Sequence, residues 1–277
     1  MDFPAESQTA ALTRRYGAGG EPAAPLLRSA VVDSLLAHRS VRAFLPDALP
    51  AGALETLVAA ASSAPTSSNQ QAWSVVAVQD PARKARLAAL SNDQGFVARA
   101  PLFLCWVADL SRLERLGQAH GRRLEGLDYL EQFMVALVDA ALAAQNAVVA
   151  AESLGLGTVY VGALRQQPEA VARELGLPPN AFAPFGLSVG HPDPAAPGGI
   201  KPRLPQALVL HHERYAARNE AAEVAGYDAR LSDYFAASSG TPQDWTAKML
   251  ARVGSAAALS GRDRMAEALR ALGFGLK

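Results

Sequence analysis

A chain of 277 residues, half of them hydrophobic, is long enough for one large domain with a real core and too apolar for a disordered one. Lys and Arg (26) balance Asp and Glu (26), so no basic excess points to nucleic acid, and any anion binding has to come from a local cluster. The single cysteine, Cys105, excludes a disulfide within the chain; it lies in an apolar run and reads as a buried thiol in a cytoplasmic protein.

Residues 1–28 read as an N-terminal extension, followed by a single domain over 29–277. The first twenty residues carry two acids and no apolar core, so they do not form a secretory signal. The glycine-rich stretch 17–20 reads as a flexible joint. Residues 31–37 look like the end of a helix that runs into His38-Arg39-Ser40-Val41-Arg42. Residues 50–62 have helical spacing, and 63–71 form a loop rich in Ser, Pro, Asn and Gln. Trp73–Val78 is the first clear strand, 81–91 a helix, and 101–107 a second apolar strand ending at Asp109.

Residues 127–154 read as one long helix, apolar nearly all round and so buried on several sides. Asp139, Gln145 and Asn146 lie inside its most apolar part, which suits a core helix and not a membrane span. Gly155 and Gly157 supply a C-cap signal. A strand over 158–161, a short helix Pro168–Leu175, a strand over 185–189 and a last strand over 208–211 follow. From about 213 the chain is helical, divided by the loop 238–242, and reads as a C-terminal helical subdomain. The fold class is α+β: a small central mixed sheet around the long buried helix, with other helices outside.

Four separated segments share one character, polar or basic side chains on loops beside apolar elements. Residues 38–42 place two arginines and a serine within five positions, a receptor for phosphate or carboxylate because guanidinium forks onto such groups. Residues 64–73 are dense in neutral donors and acceptors, which suit a polar heteroaromatic ring. Residues 155–165 carry glycines, but after a helix and before a strand, the reverse of a dinucleotide-binding fingerprint. Small residues at 162 and 163 allow a backbone N–H close to a ligand. Lys201-Pro202-Arg203 holds two cations on a stiff proline. Taken singly, each of these is also what a solvated loop looks like.

Other constellations fail. His191, His211 and His212 have no acid or cysteine at metal spacing. Neither a Gly-x-Ser-x-Gly elbow nor a Walker loop is present. Asp139 reads as a structural or interface residue.

Together the segments and their order resemble the FMN-dependent nitroreductase family, in particular its oxygen-insensitive NADPH nitroreductase and flavin reductase branch. The resemblance covers about residues 30–235 and rests on HRSVRAF at 38–44, QNAVVAAESLGLGTVYVGALR at 145–165, FGLSVGHP at 185–192 and KPRLP at 201–205. It implies a nitroreductase-like sandwich that forms a homodimer with FMN at the interface. The long helix 127–154 would then be buried between subunits as well as within one.

Carried over residue by residue, the resemblance implies that Arg39, Ser40, Lys201 and Arg203 hold the FMN phosphate, with His38 in the same segment. Arg42 would reach the pyrimidine side of the ring and stabilise the charge that reduction places there. Gln94 would lie near the ring. Ser67, Ser68, Asn69 and Gln71 would line it from the other subunit, and Tyr160, Val161, Gly162 and Ala163 would line the other face. The implied activity is hydride transfer from NADPH or NADH to flavin N5, then electron transfer to a nitroaromatic, quinone, flavin or similar small acceptor, in ping-pong fashion. A nitroreductase-fold enzyme with a dedicated substrate and a non-catalytic FMN-binding protein are the alternatives. Where relatives carry arginines for the extra phosphate of NADPH, residues 238–245 carry none, and Arg252, Arg262 and Arg264 are the candidates to replace them.

Overall fold

The computed structural model describes residues 8–196, 198–216 and 219–277; the first seven residues of the expected N-terminal extension lie outside them. In chain order the elements are α1 (Gln8–Tyr16), α2 (Ala30–Ala37), α3 (Ala53–Ser62), β1 (Trp73–Val78), α4 (Pro81–Leu90), α5 (Gly95–Arg99), β2 (Leu102–Asp109), α6 (Ser111–Ala119), α7 (Leu130–Ser153), β3 (Gly157–Val161), α8 (Pro168–Leu175), β4 (Ala181–Gly190), α9 (Ala221–Ser239), α10 (Trp245–Val253) and α11 (Met265–Ala271). They divide into two compact units. A sheet unit comprises residues 40–193 and 260–277, and a helical unit comprises residues 8–39 and 194–259.

In the sheet unit four strands lie in the order β1-β2-β4-β3. Every residue of β2 is buried, because helices cover both of its faces. Leu102, Leu104 and Trp106 alternate onto a layer with Leu57 of α3 and the small residues Ala143, Ala144 and Ala147 of α7. Phe103 and Cys105 point the other way, against Leu87 of α4 and Val171 of α8. Burial pushes the Cys105 thiol far up, so it stays protonated. A third cluster joins Phe133 and Phe182 to Leu269 and Phe274 near the chain's end.

The sheet is antiparallel throughout, not mixed. The physical reason lies in the connections. Val78 at the end of β1 pairs with Phe103 at the start of β2, so α4 and α5 together return the chain to the end it left. The excursion through α8 does the same between the antiparallel strands β3 and β4, whereas a connection that crossed to the opposite end of the sheet would have made the strands parallel. The one parallel pairing among the described residues is an isolated bridge between Ser40 and Thr158.

α7 starts three residues later than the sequence pattern suggests, after a 3-10 turn over Glu125–Asp128. It ends as the glycines predict. Gly155 takes φ +76°, its N–H donates to Glu152 O (3.0 Å), and Leu156 N–H donates to Ala151 O (3.0 Å). That pair of bonds satisfies the last carbonyls, and Leu156 packs into the same core as Ala151. By length and composition α7 would also span a membrane; here Asp139 lies within it, and its small-residue face is buried on the sheet.

The helical unit holds α1, α2, α9 and α10. Tyr227 of α9 is buried, stacks edge-on against Trp245 at 5.5 Å, and donates its hydroxyl to Pro202 O at 3.1 Å. The expected strand over 208–211 does not form. A 3-10 turn, Gln206–Leu208, stands there, and Val209 and Leu210 donate back to Gln206 O, leaving their side chains exposed. The local turn bonds satisfy the backbone that a strand would have left for a neighbour.

Candidate active site

The expected site residues fall into both units. The helical unit contains His38, Arg39, Lys201 and Arg203; the sheet unit contains the other eleven.

In the helical unit Ser29 caps α2, its hydroxyl accepting from Val32 N–H at 3.2 Å, and α2 delivers the chain to His38 and Arg39. The Arg39 guanidinium lies against Gly198: a Cβ there would sit 2.6 Å from Arg39 Nη1. Glycine therefore lets the first arginine pack onto the loop that carries the other two cations. Lys201 places its ammonium 5.0 Å from the centre of the Phe235 ring, and Arg203 Nη1 donates to Lys201 O at 3.0 Å. Both side chains are exposed.

Arg15 of α1 ties these two segments together. Its side chain is buried; Nε and Nη2 donate to Leu36 O (3.1 and 2.7 Å), Nη2 to His38 O (2.5 Å) and Nη1 to Lys201 O (3.4 Å). Its own carbonyl accepts from Arg203 N–H at 3.0 Å.

In the sheet unit the segment after Arg39 is pinned along β3. Ser40 bridges Thr158, and Val41 N–H donates to Thr158 O at 2.8 Å. This approach needs Gly157, whose Cβ would fall 2.7 Å from Val41 Cγ2. Arg42 projects from the pinned segment and is exposed. Further along β3, Tyr160 packs edge-on against Phe185 (5.4 Å) and donates to Gln145 Oε1 (3.4 Å). Tyr160 remains 38% exposed, and partial desolvation, helped by the Glu152 charge, pushes its phenol up. Val161 and Ala163 turn their side chains into the core, so these two positions offer a ligand only backbone.

The loop before β1 is held from beneath by Asp139 of α7. The Asp139 carboxylate accepts from the Thr66 hydroxyl (2.6 Å), Ser67 N–H (3.3 Å) and Ala72 N–H (3.0 Å). Thr66 Oγ1 in turn accepts from Gln71 N–H at 2.9 Å. With its ends fixed, the loop carries Ser68, Asn69 and Gln71 at positive φ (49°, 54° and 49°), a conformation that costs energy outside glycine. Ser67, Ser68 and Asn69 stay exposed. Gln70, which the sequence reading passed over, has a carboxamide oxygen buried without a hydrogen-bond partner among the described residues. Gln94 immediately precedes α5, after Asn92 and Asp93 at positive φ, and its carbonyl accepts from Val97 N–H at 2.9 Å.

In the helical unit the cations lie on one pair of tied segments, a chemistry suited to an anion; in the sheet unit neutral amides, hydroxyls and a buried acceptor lie on loops at positive φ, a chemistry suited to a polar ring. A sequence model described as Nitroreductase family matches residues 35–191, and one described as Nitroreductase family, C-terminal domain, matches residues 201–277. The chain belongs to the nitroreductase family.

Among family relatives, the FMN reductase (NADPH) of Bacillus subtilis is 41% identical over 207 residues, 74% of this chain and 82% of that protein. The oxygen-insensitive NADPH nitroreductase of Salmonella typhimurium is 37% identical over 208 residues, 75% of this chain and 83% of that one. The solved structure of the NADPH:FMN oxidoreductase from Vibrio harveyi complexed with NAD+ superimposes with a TM-score of 0.77 at 30% identity, covering 89% of this chain and 99% of that chain. The nitroreductase fold is thus shown by likeness as well as by sequence. Arg15 lies ahead of both matched stretches.

Proposed function

We propose that this nitroreductase-family protein is an FMN-dependent oxidoreductase that takes reducing equivalents from NADPH or NADH and delivers them to a small acceptor such as a nitroaromatic, a quinone or a free flavin. The observation that carries the reading is the packing of Arg39 on Gly198, in one unit with Lys201 and Arg203. Three cations on two tied segments match a phosphate monoester, whose oxygens accept forked, charge-assisted hydrogen bonds.

When bound, FMN supplies the redox chemistry, accepting hydride from the nicotinamide and releasing electrons to the acceptor. The chain's part is to bind, orient and tune. Arg39, Ser40, Lys201 and Arg203 hold the phosphate, with His38 in the same segment. Arg42, exposed on a segment pinned to β3, offers its charge to the pyrimidine edge, where negative charge develops. Tyr160, Gly162 and the backbone of Val161 and Ala163 border one face, and Gln94 approaches the ring. Ser67, Ser68, Asn69 and Gln71 approach from a partner subunit. No side chain has to act as nucleophile or general base, so orientation and charge carry the protein's contribution. One site used in turn by donor and acceptor gives ping-pong kinetics.

The names of the relatives support a nicotinamide-dependent flavin or nitro reductase, and the Vibrio harveyi enzyme with NAD+ supports a site open to the unphosphorylated dinucleotide. Two of the three candidate arginines are also committed elsewhere. Arg264 grips Glu169 with both Nη atoms (3.1 and 2.5 Å), and Arg252 donates to Ala258 O. In this reading either dinucleotide serves as donor, which the names of the relatives support and these committed arginines do not restrict to NADPH.

A homodimer completes the reading. Leu130, Met134, Val138 and Leu142 recur every four residues along α7 and are all exposed, an apolar stripe opposite the face packed on the sheet. A second copy placed across a twofold axis covers it. The fully buried, unreactive Cys105 fits a cytoplasmic setting.

Uptake of FMN by the purified full-length protein tests the core of this reading. One FMN per chain, retained through gel filtration, is expected; protein that stays colourless after FMN is added contradicts it.

A further inference from the structure

The helix ahead of the family-matched stretch is built around a charged residue, and that residue joins two places that matter to the cation cluster. Arg15 is 6% exposed. Its side chain donates to Leu36, His38 and Lys201, and its carbonyl receives Arg203 N–H. Residues 36–38 lead directly into Arg39, and 201–203 carry the other two cations. A guanidinium presents five donors in a rigid fork and no acceptor, so one arginine joins several carbonyls in a fixed arrangement that an ammonium does not reproduce.

We propose that Arg15 is a positioning residue for the phosphate receptor, and that α1 acts as a clasp fixing the Arg39 segment against the Lys201–Arg203 segment. This rests on the reading that those cations hold the FMN phosphate. The clasp removes freedom that the receptor would otherwise lose on binding, so the phosphate meets cations already in place.

A clasp for the phosphate alone makes a prediction that a general structural role does not. Full-length protein freed of flavin is titrated with FMN and with riboflavin, which has the same ring and no phosphate. Wild type should bind FMN about a hundredfold more tightly than riboflavin, as a pair or more of charge-assisted contacts implies. Arg15→Ala should weaken FMN about tenfold and leave riboflavin unchanged, so the ratio falls; Arg15→Lys should recover part of it. Equal weakening of both flavins, or no change in either, would overturn the proposal. If Arg15→Ala does not fold, the ratio for Arg15→Lys decides, and loss of fold in both variants would overturn the specific role. Equal binding of the two flavins by wild type would overturn the reading of the phosphate site itself, a failure distinct from that of Arg15.

Discussion

The Thr66 hydroxyl donates a 2.6 Å hydrogen bond to a carboxylate oxygen of Asp139, and that oxygen also receives Ala72 N–H at 3.0 Å. An acid in the middle of an apolar helix thus closes both ends of the loop that bears Ser67, Ser68, Asn69 and Gln71. Asp139 is buried, so removing it leaves three donors without their acceptor. Asp139→Ala should destabilise the protein by about 3 kcal/mol and Thr66→Val by about 1–2 kcal/mol. Because the two share one network, the double variant should lose less than the sum of the single losses. Chemical denaturation of the four proteins measures this; strict additivity would separate the pair.

Gly198 offers a gentler probe of the phosphate receptor. A Cβ at this position meets only the tip of the Arg39 side chain, which is free to swing aside. Gly198→Ala should therefore leave the melting temperature unchanged while weakening FMN about fivefold, through displacement of one charged hydrogen-bond donor. Unaltered affinity would mean that Arg39 does not contact the phosphate.

The stripe on α7 predicts a dimer that charge will split. Met134 and Val138 are each about half exposed, so a carboxylate at either position is solvated in the monomer and costs little there. Buried in a twofold interface it would face its own copy without a partner. Val138→Asp should shift sedimentation from dimer to monomer while the far-ultraviolet circular dichroism stays the same. A wild-type protein that sediments as a monomer at micromolar concentration would contradict the dimer.

Asp109 at the end of β2 gives a pH signature. Its burial favours the neutral acid, but the hydrogen bonds from Ser111 and Ser74 and the Arg112 charge outweigh that and hold its carboxyl below the ordinary value. A carboxyl depressed in the folded state stabilises the protein above its unfolded pKa of about 3.9, and the contribution vanishes as pH falls through the folded value. Asp109→Asn should be less stable than wild type at pH 7, and the gap should narrow as pH falls below about 3.9 and close only below the depressed folded value. A gap that is constant with pH would show that the loss is one of shape and not of charge.

The sequence made legible what periodicity and chemistry encode. Pro168–Leu175 and α7 stand close to where their apolar spacing put them because each buries a face on the sheet, and Trp73–Val78 was legible as a short β-branched run whose residues pack alternately on both sides. The cation segments became readable only together and in order, because Arg, Ser and Lys in a short loop are by themselves also what a solvated turn looks like. α1 was not visible: QTAALTRRY offers little apolar surface, and its anchor is Arg15, a charge whose burial depends on carbonyls far along the chain. The strand directions were missed, a mixed sheet being expected where all pairs are antiparallel, because pattern does not reveal whether a helical excursion returns to the end it left. Asp139 announced itself as a charge in an apolar helix, but its partners at Thr66, Ser67 and Ala72 arise only when α7 packs beneath β1.

The most direct test of the central claim is anaerobic stopped-flow mixing of the FMN-loaded protein with NADPH, and separately with NADH, followed by a nitroaromatic or quinone. The account predicts that either dinucleotide bleaches the visible flavin absorbance, with rates within about tenfold of each other, since a difference of that size corresponds to about 1.4 kcal/mol. It further predicts that the acceptor restores the absorbance after the oxidised dinucleotide has left. A flavin that neither NADPH nor NADH bleaches would contradict it.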